Sequence, residues 1–351
     1  MRLLSYLALA VAAVAAPASE WSDDGIAFAQ SRALSQQGFE AYLPELRARA
    51  LAQGVSRGTV DRIFPTLQFS SRTVELDRPQ APSSTGSRYI EPFEPYRIKH
   101  LTAPLINRGR DRYQSNSAQL MDISRHFGVQ PSVLVAIWGK ESSYGSVTGD
   151  FDLLNSLASL AYEGRRRQLF QDEFIATLKM IDRGTPRSQL KGSWAGATGY
   201  PQFLPSVWLR VGYDWNRDGK ADIWSNQGDA LASIANYLRD AGWKPNVPWG
   251  VRATVPADFN RGAMGTRLVA PRCSRVFERH TRWMSIAEWR RMGVIPQGGG
   301  LQDNEMASLL EPDGPGRTAY LLTNNYRTIL DYNCSNFYAL GVGLLADAVS
   351  R

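Results

Sequence analysis

The chain has 351 residues, 43% of them hydrophobic and 21% charged, with a formal net charge of +7. That apolar content supports one large core or two smaller ones and excludes a disordered or low-complexity protein. A basic surface favours acidic polymers, but nucleic acid is excluded as a partner because the chain carries no nucleic-acid motif and no dense Lys/Arg stripe.

Residues 1–18, MRLLSYLALAVAAVAAPA, place Arg2 ahead of an apolar run that ends in Ala16-Pro17-Ala18. This reads as a secretory signal peptide, too short and Ala-rich for a membrane span. No Cys stands near the expected cleavage point, so no membrane anchor is expected and the product is a soluble exported protein. From 26 to 64 the pattern is helical: Phe39, Leu43 and Leu46 recur at helical spacing, Gly54 stops the run, and Ser56 suits a cap for the next helix. Residues 69–95 are polar and rich in Ser and Pro, and are expected to form a long surface connection. Helix resumes from Tyr96, and the stripe Leu120, Ile123, Phe127 ends at Gly128.

The stretch 131–145, PSVLVAIWGKESSYG, organises the rest. Pro131 suits a first helical turn, and residues 133–138 leave no polar face, so this helix is expected to be buried all round. Its Glu141 then sits at a helix C-terminus among apolar neighbours. Both features favour the protonated carboxyl, which is how a general acid is prepared. The competing reading is that Lys140 and Glu141 are solvated residues closing a helix.

Residues 153–162, LLNSLASLAY, read as another buried helix, broken by EGRRRQ, where a run of arginines ordinarily forms a solvated face. Helix returns from 170 to 181. Residues 190–208, LKGSWAGATGYPQFLPSVW, are dense in Gly, Pro and aromatic residues. They suit either a loop that brings backbone and flat rings close to a sugar or an irregular core loop. In DWNRDGKADIWS, Asp214, Asn216 and Asp218 hold the first, third and fifth positions of a calcium loop, Gly219 the sixth, Lys220 offers its carbonyl, and Asp222 holds the ninth. Ser225 replaces the usual twelfth-position Glu, so Asp229 is the next available carboxylate; it is also placed to cap the following helix. The alternative is a metal-free Asp/Asn/Gly turn. Residues 250–256 and 319–323 read as short strands, and 338–349 as a terminal helix. Cys273 and Cys334 fit one disulfide in an oxidising compartment, or two buried thiols.

Taken together, IWGKESSYG, LKGSWAGATGYPQF, DWNRDGKADIW and DYNCSNFY resemble the membrane-bound lytic transglycosylase B family, from about residue 35 to the end. The resemblance implies a mainly α (α+β) fold: a lysozyme-like helical core with an additional helical region and a small β-containing region. The expected organisation is a signal peptide at 1–18, a helical region at 19–110, the catalytic core with its calcium-type loop at 111–243, and a mixed region at 244–351 that completes the cleft. It makes Glu141 the catalytic acid/base and places Tyr96, Arg165, Arg166, Ser193, Tyr200, Gln202, Tyr332, Asn333 and Tyr338 at the substrate. It implies a lytic murein transglycosylase that cleaves the bond between N-acetylmuramic acid and N-acetylglucosamine to a 1,6-anhydro product, without a catalytic cofactor and with a structural calcium ion held by Asp214, Asn216, Asp218, Lys220, Asp222 and Asp229. Peptidoglycan strands are the expected partner, with cell-wall synthases or division proteins as further partners. The chain departs from the family at Ser225 and Asn226, where members commonly carry a carboxylate. It also lacks the lipobox Cys, which points to a soluble periplasmic form. The rivals are a hydrolase that uses Asp150 or Asp152 as second carboxylate and a non-catalytic wall-binding protein.

Overall fold

The computed structural model of the chain describes residues 34–78, 92–265 and 273–351. The expected signal at 1–18 and the middle of the expected connection lie outside these residues. The chain is mainly helical with small sheets. Its contacts divide it into two compact units, one within 86–146 and 213–351, the other within 13–85 and 147–212. Both units are discontinuous in sequence, a partition different from the sequential regions 19–110, 111–243 and 244–351 expected from the chain order.

In the second unit, helix Leu153–Glu163 is apolar on nearly every side and fully wrapped. Asp152 caps it by accepting from the Asn155 N–H at 2.8 Å, and Gly164, at φ 97°, ends it. It packs on Arg167–Asp182 and on Ser71–Asp77. The latter is a correction: residues 71–77, expected within the surface connection, form a helix. Two turns carry no readable period, yet Ser70 accepts from the Thr73 N–H, and Thr73, Val74 and Asp77 are buried against the neighbouring helix. Helix Gln36–Ala52 contributes Phe39 and Leu46 to the same core. Strands Phe151–Asp152 and Lys191–Gly192 pair antiparallel at the base of the Gly/Pro/aromatic loop.

In the first unit, helix Pro131–Ser142 is the centre, buried from Val133 to Gly139 as its composition requires. The terminal helix Asn336–Val349 and helices Ala103–Ser115 and Gln227–Asp240 pack around it. A five-stranded antiparallel sheet runs in the order Met284–Ser285, Met306–Leu310, Ala319–Leu322, Gly250–Thr254, Ile295–Pro296 among the described residues. Its core holds Trp289, Ile286, Leu309 and Leu321. Gly250–Thr254 is legible from its alternation and Ala319–Leu322 as a short run among Gly/Pro loops, whereas Met306–Leu310 is not. Four of its five residues are buried, so it has no polar phase, and Met, Ala and Leu favour helix when nothing pairs with them. No helix among the described residues is long and apolar enough to cross a membrane.

The C-terminus of Pro131–Ser142 is held by an unusual turn. Ser143 and Tyr144 both take left-handed backbone angles, with φ 49° and 62°, and their N–H groups bond to the carbonyls of Gly139 at 3.0 Å and Trp138 at 3.3 Å. The Tyr144 ring folds back over Gly139, edge-on to Trp138 at 5.6 Å, and its hydroxyl donates to the Leu105 carbonyl at 2.9 Å. A Cβ at Gly139 would stand 2.5 Å from Tyr144 Cζ. Gly139→Ala should therefore displace this ring and destabilise the chain by about 1–3 kcal/mol, the usual cost of overpacking. Urea unfolding checks this, and an unchanged midpoint would refute it.

Candidate functional site

Glu141 lies on the last turn of Pro131–Ser142 and is only 7% exposed. This contradicts the reading of Lys140 and Glu141 as solvated residues. The Tyr338 hydroxyl donates to Glu141 Oε1. Burial raises the Glu141 carboxyl to about 7, against the Tyr338 hydrogen bond and the Lys140 charge, both of which favour the ionised form. The group is thus poised to release and recapture a proton near neutrality.

Tyr338 owes its position to local sequence. Ser335 caps the terminal helix by accepting from the Tyr338 N–H at 3.3 Å, so the tyrosine stands in the first turn, aimed at the neighbouring helix end. The Tyr332 ring stacks with Tyr338 at 6.5 Å and meets Tyr237 at 4.8 Å. Asn333, between them in sequence, closes helix Asn324–Tyr332, and its carbonyl accepts from the Ser335 N–H at 2.7 Å. Cys334 is bridged to Cys273 across 61 residues, which anchors this connection. On the other side of Glu141, Tyr96 touches Lys140: the ammonium donates to the Tyr96 hydroxyl at 3.4 Å and lies 5.2 Å from its ring centroid. Burial, with the Glu141 charge second, pushes the Tyr96 phenol up to about 12. Tyr96, Glu141, Tyr332 and Tyr338 are therefore brought together. Lys140, Tyr237 and Ser335 are members the sequence reading missed. Only Ser335, a Ser immediately before an apolar helix, carried a readable signal.

The remaining expected substrate residues, Arg165, Arg166, Ser193, Tyr200 and Gln202, stand in the other unit. Ser193 Oγ accepts from the Ala197 N–H at 3.0 Å, and Gln202, at φ 50°, donates from Nε2 to the carbonyls of Thr148 at 3.0 Å and Gly199 at 2.9 Å. Tyr200, between Gly199 and Gln202, is partly exposed on the same loop. Gly149 packs against this loop so closely that a Cβ would stand 2.2 Å from the Gly192 carbonyl oxygen, and its φ of 87° suits glycine. Arg165 and Arg166 both grip Asp77, a wholly buried carboxylate, so they hold helix Ser71–Asp77 in place instead of forming a solvated face. Asp152 caps its helix and pairs with Arg187 at 3.0 Å, and Asp150 is exposed.

In the loop 214–225, Asp214 accepts from the N–H groups of Asp218 at 3.2 Å and Gly219 at 2.7 Å. Asn216 Oδ1 accepts from Asp218, and Asp218 from Lys220. These turns gather the three side chains at the first, third and fifth positions. Asp222 accepts from the Trp224 and Ser225 N–H groups, and Asp229 from those of Trp215 and Asp222, both at 2.9 Å. Asn226, not Asp229, caps the next helix, because its side chain reaches the Asp229 N–H and leaves both Asp229 oxygens to the loop. Burial and, after its hydrogen bonds, the Asp214 charge raise the Asp229 carboxyl. The donors are hard oxygens, the type that calcium takes, although among the described residues no group of three or more His, Cys, Asp or Glu side chains is gathered closely enough to hold a metal ion.

A family model described as the transglycosylase SLT domain matches residues 38–347. The membrane-bound lytic murein transglycosylase B of Escherichia coli (strain K12) is 30% identical over 294 residues, covering 83% of this chain and 74% of the relative. Among solved structures, SltB3 from Pseudomonas aeruginosa in complex with NAG-anhNAM-pentapeptide has a TM-score of 0.78 at 37% identity, over 90% of this chain and 80% of that one. The Escherichia coli lytic transglycosylase Slt35 in complex with calcium has a TM-score of 0.68 at 28% identity, over 90% of this chain and 92% of that one.

The raised Glu141 carboxyl predicts a pH-dependent stability independent of any activity. Unfolded, a Glu titrates near about 4.3, whereas here it titrates at about 7. Between those values the folded chain holds a proton that the unfolded chain has lost, so this contribution is full below the lower value and is lost as pH rises through the upper one. Each pKa unit of separation is worth about 1.4 kcal/mol. Glu141→Gln should flatten that part of the profile, as read by urea unfolding at a series of pH values. Parallel profiles for the two proteins would rule the effect out.

Proposed function

Because the chain belongs to the SLT-domain transglycosylase family, and is thus a lysozyme-like, peptidoglycan-cleaving lytic transglycosylase, we propose that Glu141 is its single acid/base. The observation that carries this reading is the buried Glu141 carboxyl held under the Tyr338 hydroxyl near neutral pKa. Protonated Glu141 gives its proton to the oxygen joining N-acetylmuramic acid to N-acetylglucosamine, and the C1–O bond breaks. The muramic N-acetyl group stabilises the developing cation. Ionised Glu141 then takes the proton of the same sugar's C6 hydroxyl, whose oxygen closes on C1 as a 1,6-anhydro ring. No water is consumed, and the carboxyl returns protonated. The product has the anhydro form named for the SltB3 complex.

Tyr96, Tyr332 and Tyr338 are proposed to shape the sugar sites beside Glu141, and Ser193, Tyr200 and Gln202 to present the second unit's loop to the glycan. Asn333 is proposed to orient the N-acetyl group. Arg165 and Arg166 are proposed to reach the substrate from their Asp77 anchor, since both keep part of their surface exposed. Asp152 is unsuited to the two-carboxylate hydrolase because its oxygens serve a helix cap and Arg187. The Cys273–Cys334 bridge and the substrate both suit an exported, periplasmic protein.

Digestion of purified sacculi tests the reaction. The wild type should release 1,6-anhydromuropeptides, and Glu141→Gln, which keeps shape but cannot cycle a proton, should lose at least about a hundredfold in turnover. Reducing-end products would identify a hydrolase instead.

Asp214, Asn216, Asp218, Asp222 and Asp229, with the Lys220 carbonyl, are proposed to hold a structural calcium ion that stiffens the start of helix Gln227–Asp240. Calcium supplies no chemistry to the bond-breaking step. At a free concentration about a hundred times Kd it should stabilise the chain by about 2.7 kcal/mol. A thermal scan with calcium against chelator reads this directly, and coincident curves would dismiss the site.

A further inference from the structure

The terminal helix offers two neighbouring places to the end of Pro131–Ser142. Tyr338 meets Glu141, and one turn further on Gly341 meets Lys140: a Cβ at Gly341 would stand 3.5 Å from Lys140 Nζ. Lys140 thus lies in van der Waals reach of the terminal helix while its ammonium rests against Tyr96. Among the described residues Lys140 forms no ion pair. A largely buried ammonium without a carboxylate partner costs stability, and the Tyr96 contact offsets only part of that cost.

The groups around Lys140 and Glu141 are Tyr96 and His100 from helix Phe93–His100, with the Lys99 charge also reaching His100, and Tyr332 and Tyr338 from the two last helices. His100 packs edge-on to Tyr96 at 4.0 Å and is pushed down to about 4 by burial and then by the Lys140 charge, so it is neutral at pH 7. The phenols are raised by burial and are neutral as well. Lys140, held down to about 8 by burial, keeps its positive charge at pH 7.

We propose that Lys140 is a positioning residue of the acid/base centre: a largely buried cation, seated against Tyr96 one residue before Glu141, whose charge adds to the field that the Glu141 carboxyl experiences. It rests on the reading of Glu141 as acid/base. Its charge favours ionised Glu141 and so opposes the burial that favours the protonated form. That balance keeps the carboxyl able both to give a proton to the leaving oxygen and to take one from the C6 hydroxyl. Nothing in the local sequence distinguishes this lysine from a solvated helix end.

The test compares wild type, Lys140→Met and Lys140→Arg. Carboxyl carbon NMR of the intact, substrate-free protein should show the Glu141 midpoint rising by on the order of one pH unit in Lys140→Met, while Lys140→Arg restores it towards wild type. The falling limb of kcat/KM on peptidoglycan fragments should move to higher pH in the same variant. Lys140→Gln, which keeps a polar chain of similar length, should give the same shift and serves if the Met variant does not fold. An unmoved Glu141 midpoint in the neutral variants overturns the proposal, as does a rise in KM alone with no change in either pH profile, which would make Lys140 a substrate contact. Turnover surviving in Glu141→Gln would instead overturn the acid/base reading, and the NMR titration would still decide whether Lys140 controls that carboxyl.

Discussion

The structure of the first unit depends on one contact, the Tyr338 hydroxyl on the buried Glu141 carboxyl. A carboxyl removed from water must be neutral or well partnered. Here burial favours neutrality, while the phenol and the neighbouring ammonium favour charge. The contact requires the last turn of one helix and the first turn of another to meet, although 197 residues separate them. The capped start at Ser335, the turn at Ser143 and Tyr144, and the Cys273–Cys334 bridge all restrain that meeting.

Glycine makes one close approach possible on the helix that carries Glu141. Gly139 admits the Tyr144 ring beneath the turn, where a Cβ would stand 2.5 Å from Tyr144 Cζ. That Cβ would push on the helix end that carries Glu141, so backbone spacing and proton chemistry are linked through packing. A lone glycine inside a helix is ordinarily a small loss of stability. Here the space it leaves is occupied by the Tyr144 ring.

The second unit shows the same economy with charge. Asp77 is buried, and the two arginines that reach it leave no uncompensated ion. Glu173 is likewise buried and is bound by the Ser206 hydroxyl and N–H, which ties the helix Arg167–Asp182 to the start of Pro205–Val211. Both carboxylates serve the frame on which the loop 190–208 is carried, and neither was visible as such in sequence.

Sequence by itself determined the helical class, the buried Pro131–Ser142 helix with its carboxylate at the end, the capped or glycine-ended helices and two of the strands, while Tyr332 and Tyr338 entered only through the resemblance of DYNCSNFY to the family. These are written in local period, in turn residues and in motif spacing, which short-range sterics enforce. Only the tertiary structure decided that Ser71–Asp77 is a helix, that Met306–Leu310 is a strand, that Asn226 rather than Asp229 caps its helix, and that Arg165 and Arg166 serve a buried Asp77. It also decided that Lys140 is largely buried. Each of these depends on what a residue distant in sequence removes from water or pairs with, and burial of a charge or of an unpaired strand is set by the partner that covers it, not by its neighbours along the chain.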